Sequence, residues 1–242
     1  MKIATFNTKN IFFKKMSSDK LNFITNLILD NKIDIIGTQE LSRESTKDLY
    51  KKLYHLDYKF YGKFRYKKLY YHFPMNENNN IVTNKKVDYH ETIKLKTKSL
   101  KMFFLKIRYF PIVPRIASVI TFKDDKYDNM CVINTHISDK VSFIQKRQIK
   151  VLKEIVKKYK EFKIVITGDF NMEPDNKVFI EFNDFLNNIG IKRVVINEPT
   201  WHSKNKDKIL DYIFVSKEIK VKNKKRISSE NYSDHDLLYV EI

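Results

Sequence analysis

Lys163-Ile164-Val165-Ile166-Thr167-Gly168-Asp169-Phe170-Asn171 is the stretch on which the reading of this chain turns. Four β-branched residues in succession predict a buried strand over Lys163 to Thr167, because such side chains pack well on a pleated surface. Gly168 closes the strand, and Asp169 and Asn171 follow it. Asp and Asn after a strand are ordinary turn formers, so one such case carries little weight. Here the arrangement recurs. Asn7 follows Ile3-Ala4-Thr5-Phe6, Gln39 and Glu40 follow Ile33-Asp34-Ile35-Ile36, and Asn134, Thr135 and His136 follow Cys131-Val132-Ile133. Asp211 precedes Tyr212-Ile213-Phe214-Val215, and Asp234, His235 and Asp236 precede Leu237-Leu238-Tyr239-Val240.

Polar groups at the ends of buried strands can converge on one rim of a sheet. The set is rich in carboxylates, amides and imidazoles, and its oxygen ligands suit Mg²⁺, with Mn²⁺ as a substitute. A tight zinc site fits less well, since the single cysteine sits in an apolar run and no HxxxH pair occurs. Such residues suit phosphodiester chemistry. A metal neutralises charge on phosphoryl oxygens, a carboxylate orients or deprotonates a water, and a histidine contacts the phosphate or exchanges a proton.

Around the clusters the chain alternates strands and helices. Leu21, Ile24, Leu27 and Ile28 have helical spacing after a cap at Ser18 or Asp19, and Ser42 to Leu53 reads as a second helix. Ser142 to Tyr159 and Lys177 to Ile189 predict two more. Strands are expected at Lys2 to Phe6, Ile33 to Ile36, Ile81 to Thr83, Thr92 to Lys96, Tyr212 to Val215 and Leu237 to Ile242. Ile116 to Phe122 and Met130 to Asn134 read as a pair joined by a polar turn, and Asn76 to Asn80 as an Asn-rich turn. Phe103-Phe104 and Tyr109-Phe110 are read first as a strand pair, and Lys220 to Arg226 as a solvated loop. The mixture favours two packed sheets with helices outside over a purely parallel sheet.

In their order along the chain, Thr5-Phe6-Asn7, Gly37-Thr38-Gln39-Glu40, Asn134-Thr135-His136, Thr167-Gly168-Asp169-Phe170-Asn171, Leu210-Asp211-Tyr212-Ile213-Phe214 and Ser233-Asp234-His235 resemble the endonuclease/exonuclease/phosphatase superfamily. The resemblance implies a DNase I-like four-layered α/β sandwich: two mixed β-sheets packed face to face, helices outside, and an active site at one edge. It implies that Glu40 is the principal Mg²⁺ ligand, with Asn7 and Asp234 near the metal. It makes Asp169 the residue that orients or activates water, and Asn171 a donor to the phosphoryl group. His235 would contact the phosphate with Asp211 on its other ring nitrogen, and His136 would act near the leaving group. Weaker matches mark Arg115, Asn79 and Trp201 as substrate-binding, with a surface salt bridge as the other reading of Arg115 and core packing that of Trp201. His202 could support the site. His55, His72 and His90 match nothing and read as surface or packing residues.

Size and composition set the remaining bounds. At 242 residues, 42% of them hydrophobic, the chain is expected to form one catalytic domain over residues 1–242, a monomer. Its one cysteine, Cys131, excludes an internal disulfide framework and reads as a small buried residue. No secretory signal is visible, which points to the cytoplasm while leaving export with a removed signal open. No apolar run approaches the roughly 20 residues that span a bilayer; Tyr109 to Phe122, the best candidate, contains Pro111, Pro114 and Arg115. A net charge of +18 favours a polyanionic partner, though a lysine-rich composition with solvated side chains gives the same sum. The expected substrate is a phosphodiester of nucleic acid or nucleotides. A phospholipid or inositol phosphate is the alternative, and a non-catalytic nucleic-acid-binding protein ranks third.

Overall fold

Period-two alternation in the apolar strands sends side chains to both faces of each sheet, and this builds the layers. Ile3, Ile35 and Ile81 point to one side together with Val132, Val165, Ile213, Val215 and Val240, forming the core between two sheets. Their neighbours Ala4, Phe6 and Ile36 point the other way, onto the helix residues Ile24, Ile28, Leu49 and Leu53. Cys131, Ile133, Ile164, Ile166 and Phe214 turn outward on the second sheet, against Leu152, Val156, Phe179 and Phe182. The result is the expected four-layered α/β sandwich.

The computed structural model describes residues 1–10, 15–62, 77–95, 115–139, 141–204 and 206–242. The strands are β1 (Lys2–Asn7), β2 (Ile35–Ser42), β3 (Lys59–Tyr61), β4 (Glu77–Thr83), β5 (Tyr89–Leu95), β6 (Arg115–Asp124) and β7 (Asp128–His136). They continue as β8 (Lys163–Asp169), β9 (Ile191–Arg193), β10 (Trp201–His202), β11 (Asp207–Lys208), β12 (Asp211–Ser216), β13 (Asn223–Ile227) and β14 (Leu237–Glu241). The helices are α1 (Ser18–Asp30), α2 (Arg43–Leu53), α3 (Ser142–Lys158) and α4 (Lys177–Asn188). One sheet runs β13-β14-β1-β2-β4-β3 and the other β5-β6-β7-β8-β12-β9. Each is mixed: β1–β2 and β7–β8 are parallel, and the remaining pairs are antiparallel.

Several elements differ from their sequence expectation. The cap of α1 is Ser17, whose hydroxyl accepts the Lys20 amide; Asp19 lies in the first turn, where its charge suits the helix dipole. The second strand does not stop before Gly37 but continues to Ser42, interrupted by a register shift between Thr38 and Leu41. Residues 77–80 form strand rather than turn, because Asn80 and Asn78 pair with Thr38 and Leu41 across the sheet. Asn223 to Arg226 of the basic run expected to be loop belong to the edge strand β13, paired with β14; its exposed lysines discourage further strand addition there. His72, Phe103-Phe104, Tyr109-Phe110 and the start of the apolar run at Tyr109 lie outside the described residues. Among the described residues no helix is long and apolar enough to cross a membrane.

Candidate active site

Strand polarity explains why the polar clusters meet. Asn7, Glu40, His136 and Asp169 lie toward the C-terminal ends of strands whose parallel pairings align those ends. Asp211 and His235 lie where strands β12 and β14 begin, and these run antiparallel to β8 and β1. The register sets Asp169 opposite both His136 and Asp211.

The two sheets are stitched together beneath this rim. Asn134, on β7, donates its amide to the carbonyls of Thr38 and Asn80 in the opposite sheet, at 3.1 and 3.0 Å. Its Oδ1 accepts from Gln39 Nε2 at 2.7 Å. Gly37 makes room for this clasp: a Cβ there would stand 2.4 Å from Asn134 Oδ1. Gly168 is equally constrained, since a Cβ would stand 2.2 Å from the Thr135 carbonyl oxygen.

Asp169 is the hub. Its Oδ2 accepts from Asn7 Nδ2 at 2.9 Å, across the sheets, and its Oδ1 accepts from the Asn171 amide at 2.9 Å. His136 Nε2 and His235 Nε2 lie 3.5 and 3.7 Å from Oδ2. The other ring nitrogen of His235, Nδ1, lies 2.8 Å from Asp211 Oδ2, which also accepts from the Thr200 hydroxyl at 2.8 Å. Burial, with Asp211 nearby, pushes the Asp169 carboxyl up to about 6, against the pull of His235 and the bonds from Asn7 and Asn171. Burial would lower the His235 imidazole, but the carboxylates of Asp211 and Asp169 overcome it and raise the group to about 10. The chain Asp211–His235–Asp169 therefore holds a buried imidazolium between two acids.

His136 is fixed from its far side. Arg115 Nη1 lies 2.7 Å from Nδ1, and a guanidinium can only donate. The His136 Nε2 faces Asp169 and Glu40, whose Oε1 is 3.8 Å away. Arg115 is 7% exposed, which makes it a buried partner of His136 and not a surface ion pair. Asn171 Nδ2 donates to the Ile137 carbonyl at 2.9 Å and lies 3.1 Å from His136 Nε2.

Glu40 and Asp234 form the more open side. Glu40 adopts φ 54°, Lys9 φ 41° and Asn171 φ 51°, three left-handed non-glycine residues in one site. Such backbones are held against their own preference, and they cluster where a side chain must be aimed. Lys9 Nζ lies 2.9 Å from Asp234 Oδ2, and Trp201 Nε1 donates to the same oxygen at 3.2 Å. Burial lowers the Lys20 amine, with Lys9 adding to it and Asp234 and Glu40 opposing. Ligand atoms of Asp169, Asp211 and His235 lie within 4.8 Å of one another, but the Asp211–His235 hydrogen bond already occupies two of them. Glu40, Asp234 and Asn7 offer hard oxygens without a thiol, which fits a divalent cation of the Mg²⁺ type.

The sequence profile of the Endonuclease/Exonuclease/phosphatase family matches residues 4–235. The chain belongs to the endonuclease/exonuclease/phosphatase family. No curated protein sequence matches it. Among solved structures, a protein of this family from Leptotrichia buccalis superposes with a TM-score of 0.77 at 19% identity, covering 100% of this chain and 99% of that one. A mannosyl-6-phosphatase of Bacteroides thetaiotaomicron gives 0.74 at 20% identity, covering 100% and 98%. The human Nocturnin catalytic domain with bound sulfate gives 0.71 at 18% identity, covering 99% and 93%. At these identities the superpositions establish the fold. The family is generally metal-dependent.

Of the residues picked out in the sequence, the family fold brings Asn7, Glu40, His136, Asp169, Asn171, Asp211 and His235 into one constellation. Asp234 joins through Lys9 and Trp201, and Arg115 through His136. Asn79 stands apart: its Nδ2 donates to the Ile116 carbonyl at 3.0 Å, and its buried Oδ1 has no partner among the described residues. Trp201 is half-buried and hydrogen-bonded, not wholly packed in the core. His202 bridges Asp236 at 2.9 Å and Asp207 at 3.1 Å; burial opposes its protonation, but the two carboxylates raise it. His55 is exposed, and His90 packs on Tyr61 with ring centroids 5.1 Å apart. Sequence reasoning missed Lys9 and Lys20, because lysine is so common here that no pattern set these two off. It also gave no role to Thr200, whose hydroxyl accepts from the Leu210 and Asp211 amides while donating to Asp211.

Proposed function

We propose that this chain is a Mg²⁺-dependent phosphodiester hydrolase, a single catalytic domain that acts on nucleic acid or nucleotides. The observation that carries the reading is the chain Asp211–His235–Asp169, with Asp169 braced by Asn7 and Asn171. Glu40, Asp234 and Asn7 would hold the cation, whose charge would stabilise the phosphoryl oxygens as negative charge builds. Asp169 in its ionised form orients or deprotonates the attacking water. His235, kept cationic by Asp211, donates from Nε2 to a phosphoryl oxygen. Asn171 donates beside it, and His136 faces the leaving-group side. Lys9 pairs with Asp234 at 2.9 Å; a cation held there would compete for that carboxylate and would leave Lys9 available to the anionic substrate. The net charge of +18 favours a polyanion over a neutral lipid surface.

The test is hydrolysis of plasmid DNA, single-stranded RNA, sphingomyelin and inositol polyphosphates with Mg²⁺, Mn²⁺ or EDTA. Metal-dependent turnover of nucleic acid, absent in Asp169→Ala and His235→Ala, is expected. Turnover confined to lipid or inositol phosphate would replace the substrate assignment. Activity retained by Glu40→Ala would overturn the metal assignment.

A further inference from the structure

Asp236 is a buried carboxylate, 2% exposed, that has no part in the proposed hydrolysis although it directly follows Asp234 and His235. A buried charge is tolerated where it is fully partnered, and Asp236 is. Its Oδ1 accepts the Ser229 amide at 2.9 Å, and its Oδ2 accepts from Arg226 Nη1 and lies 2.9 Å from His202 Nε2. Both of those partners are tied again. Arg226 Nε donates to Glu198 at 2.8 Å, and His202 Nδ1 lies 3.1 Å from Asp207. The carboxylate thus gathers β10, β11, β13 and the turn after β13 around the start of β14.

The backbone connects this knot to the site. Trp201 lies antiparallel to His235. On either side of that pair, the His202 amide donates to the Asp234 carbonyl at 2.7 Å and the Asp236 amide to the Thr200 carbonyl at 2.8 Å. The side chains of Thr200, Trp201 and His202 then reach three different carboxylates. Thr200 donates to Asp211 and Trp201 to Asp234, both in the site, while His202 faces Asp236, which lies outside it. His235 is suspended between the two backbone bonds. Its Nδ1 lies 2.8 Å from Asp211 and its Nε2 3.7 Å from Asp169, so a shift of the segment by about 1 Å would break the first contact.

Buried ion pairs add little stability over apolar residues of the same volume, and their best-attested use is to fix one register. Here the register is that of the segment carrying two site residues. We propose that Asp236 is a positioning residue: gripped by Arg226 and His202, it fixes the Asp234-His235 backbone so that the imidazole stays in line with Asp211 and Asp169. The inference rests on the phosphodiester-hydrolase reading above and adds to it residues that act through His235 rather than on the substrate.

The test uses the full-length protein. kcat and KM are measured on bis(4-nitrophenyl) phosphate with Mg²⁺ for Asp236→Asn, His202→Leu and His202→Gln, at a temperature where circular dichroism shows the variant folded. Asp236→Asn is expected to lower kcat by about ten- to a hundredfold, the scale of a 1 Å misplacement, and to leave KM within about twofold. His202 is half-exposed and tolerates substitution, so it judges the proposal even if Asp236→Asn does not fold. His202→Leu is expected to lower kcat in the same way, and His202→Gln, whose amide can donate to Asp236, to restore most of it. An unchanged kcat in His202→Leu would overturn the proposal. A rise in KM at unchanged kcat would also overturn it, by placing these residues against the substrate. A second readout needs no substrate. The proton between His235 Nδ1 and Asp211 is followed by NMR in EDTA and assigned by its loss in His235→Asn. It is expected to exchange with water at least about tenfold faster in His202→Leu and Asp236→Asn, because a loosened segment opens that bond more often. A purely structural Asp236 would lower the urea midpoint and leave both this exchange and kcat at wild-type values, which would sink the positioning role. If the wild-type protein hydrolyses neither this ester nor nucleic acid, the hydrolase reading fails, and the exchange rates still decide whether Asp236 positions His235.

Discussion

Asp169 sits under two opposed influences. Burial and the nearby Asp211 hold its proton on, up to about 6, while Asn7, Asn171 and the His235 imidazolium pull it off. If the ionised carboxylate handles the attacking water, kcat/KM should rise through about pH 6 as Asp169 loses its proton. It should then stay high until His235 loses its own near about pH 10. A bound divalent cation would shift the acid limb lower, since positive charge favours the carboxylate. A pH–rate profile at two Mg²⁺ concentrations reads both effects, and an acid limb that ignores Mg²⁺ would argue against a cation beside Asp169. Asp169→Asn keeps the shape but not the charge, and kcat should fall by roughly 10²–10⁴, the usual worth of a positioned proton-transfer group. Thr200 acts one step further out, by holding Asp211. Thr200→Val leaves the Leu210 and Asp211 amides and one carboxylate oxygen without their hydroxyl partner, at a cost of about 1–3 kcal/mol. Urea unfolding should show that loss and kcat should fall with it, while Thr200→Ser should restore both.

At the scale of elements, β2 carries the site. It has to run alongside β1, give way to Asn134 at Gly37, and then bulge so that Glu40 faces the rim. Gly37→Ala drives a methyl into Asn134 and Thr167, and such overpacking costs about 1–3 kcal/mol. Chemical denaturation is expected to show a lower midpoint at unchanged m-value, and an unaltered midpoint would mean that the clasp between the sheets yields easily. This strand also marks the line between what was legible in the sequence and what was not. The apolar runs at Ile3 to Phe6, Ile164 to Thr167 and Tyr212 to Val215 state their own strand character, and the polar residues at their ends state the rim. The continuation of β2 through Glu40 was hidden, because it depends on pairing with Asn78 and Asn80 and on Asn134 from the other sheet. The same long-range cause hid the strand at Glu77–Thr83, where three asparagines suggest a turn to any local reading. Ser17 and Ser18 are equivalent as letters; only the reach of a hydroxyl to the Lys20 amide separates them. Arg115 read as readily as a surface ion pair, since nothing near it in the chain announces His136, which lies 21 residues away.

The whole molecule joins a basic exterior to a site that concentrates acids. Glu40, Asp169, Asp211 and Asp234 converge in a chain of net charge +18, and the cations facing them include Lys9, Lys20 and a protonated His235. That balance makes stability depend on pH in a definite direction. His235 has a folded-state value of about 10 against an ordinary 6.5, so the folded chain binds its proton more tightly than the unfolded chain. Its contribution is complete below about pH 6.5 and is lost as pH rises toward about 10. Asp169 is also raised, from 3.8 to about 6, so it too favours the folded state at low pH and loses that contribution over this lower window. In EDTA the unfolding midpoint should therefore decline as pH climbs from about 6.5 to 10. His235→Asn removes the titrating group and should flatten the decline; an unchanged slope would place the titration elsewhere. If the proposed cation site exists only in the folded chain, Mg²⁺ should raise the midpoint with its concentration by mass action. The gain should be largest at the alkaline end, where the loss of His235's charge leaves the acids least balanced and the cation best held. A series of thermal melts across pH, with and without Mg²⁺, separates the two terms: protons should support the folded site at low pH and the metal at high pH, and a Mg²⁺ effect that fades as pH rises would contradict the cation site at Glu40 and Asp234.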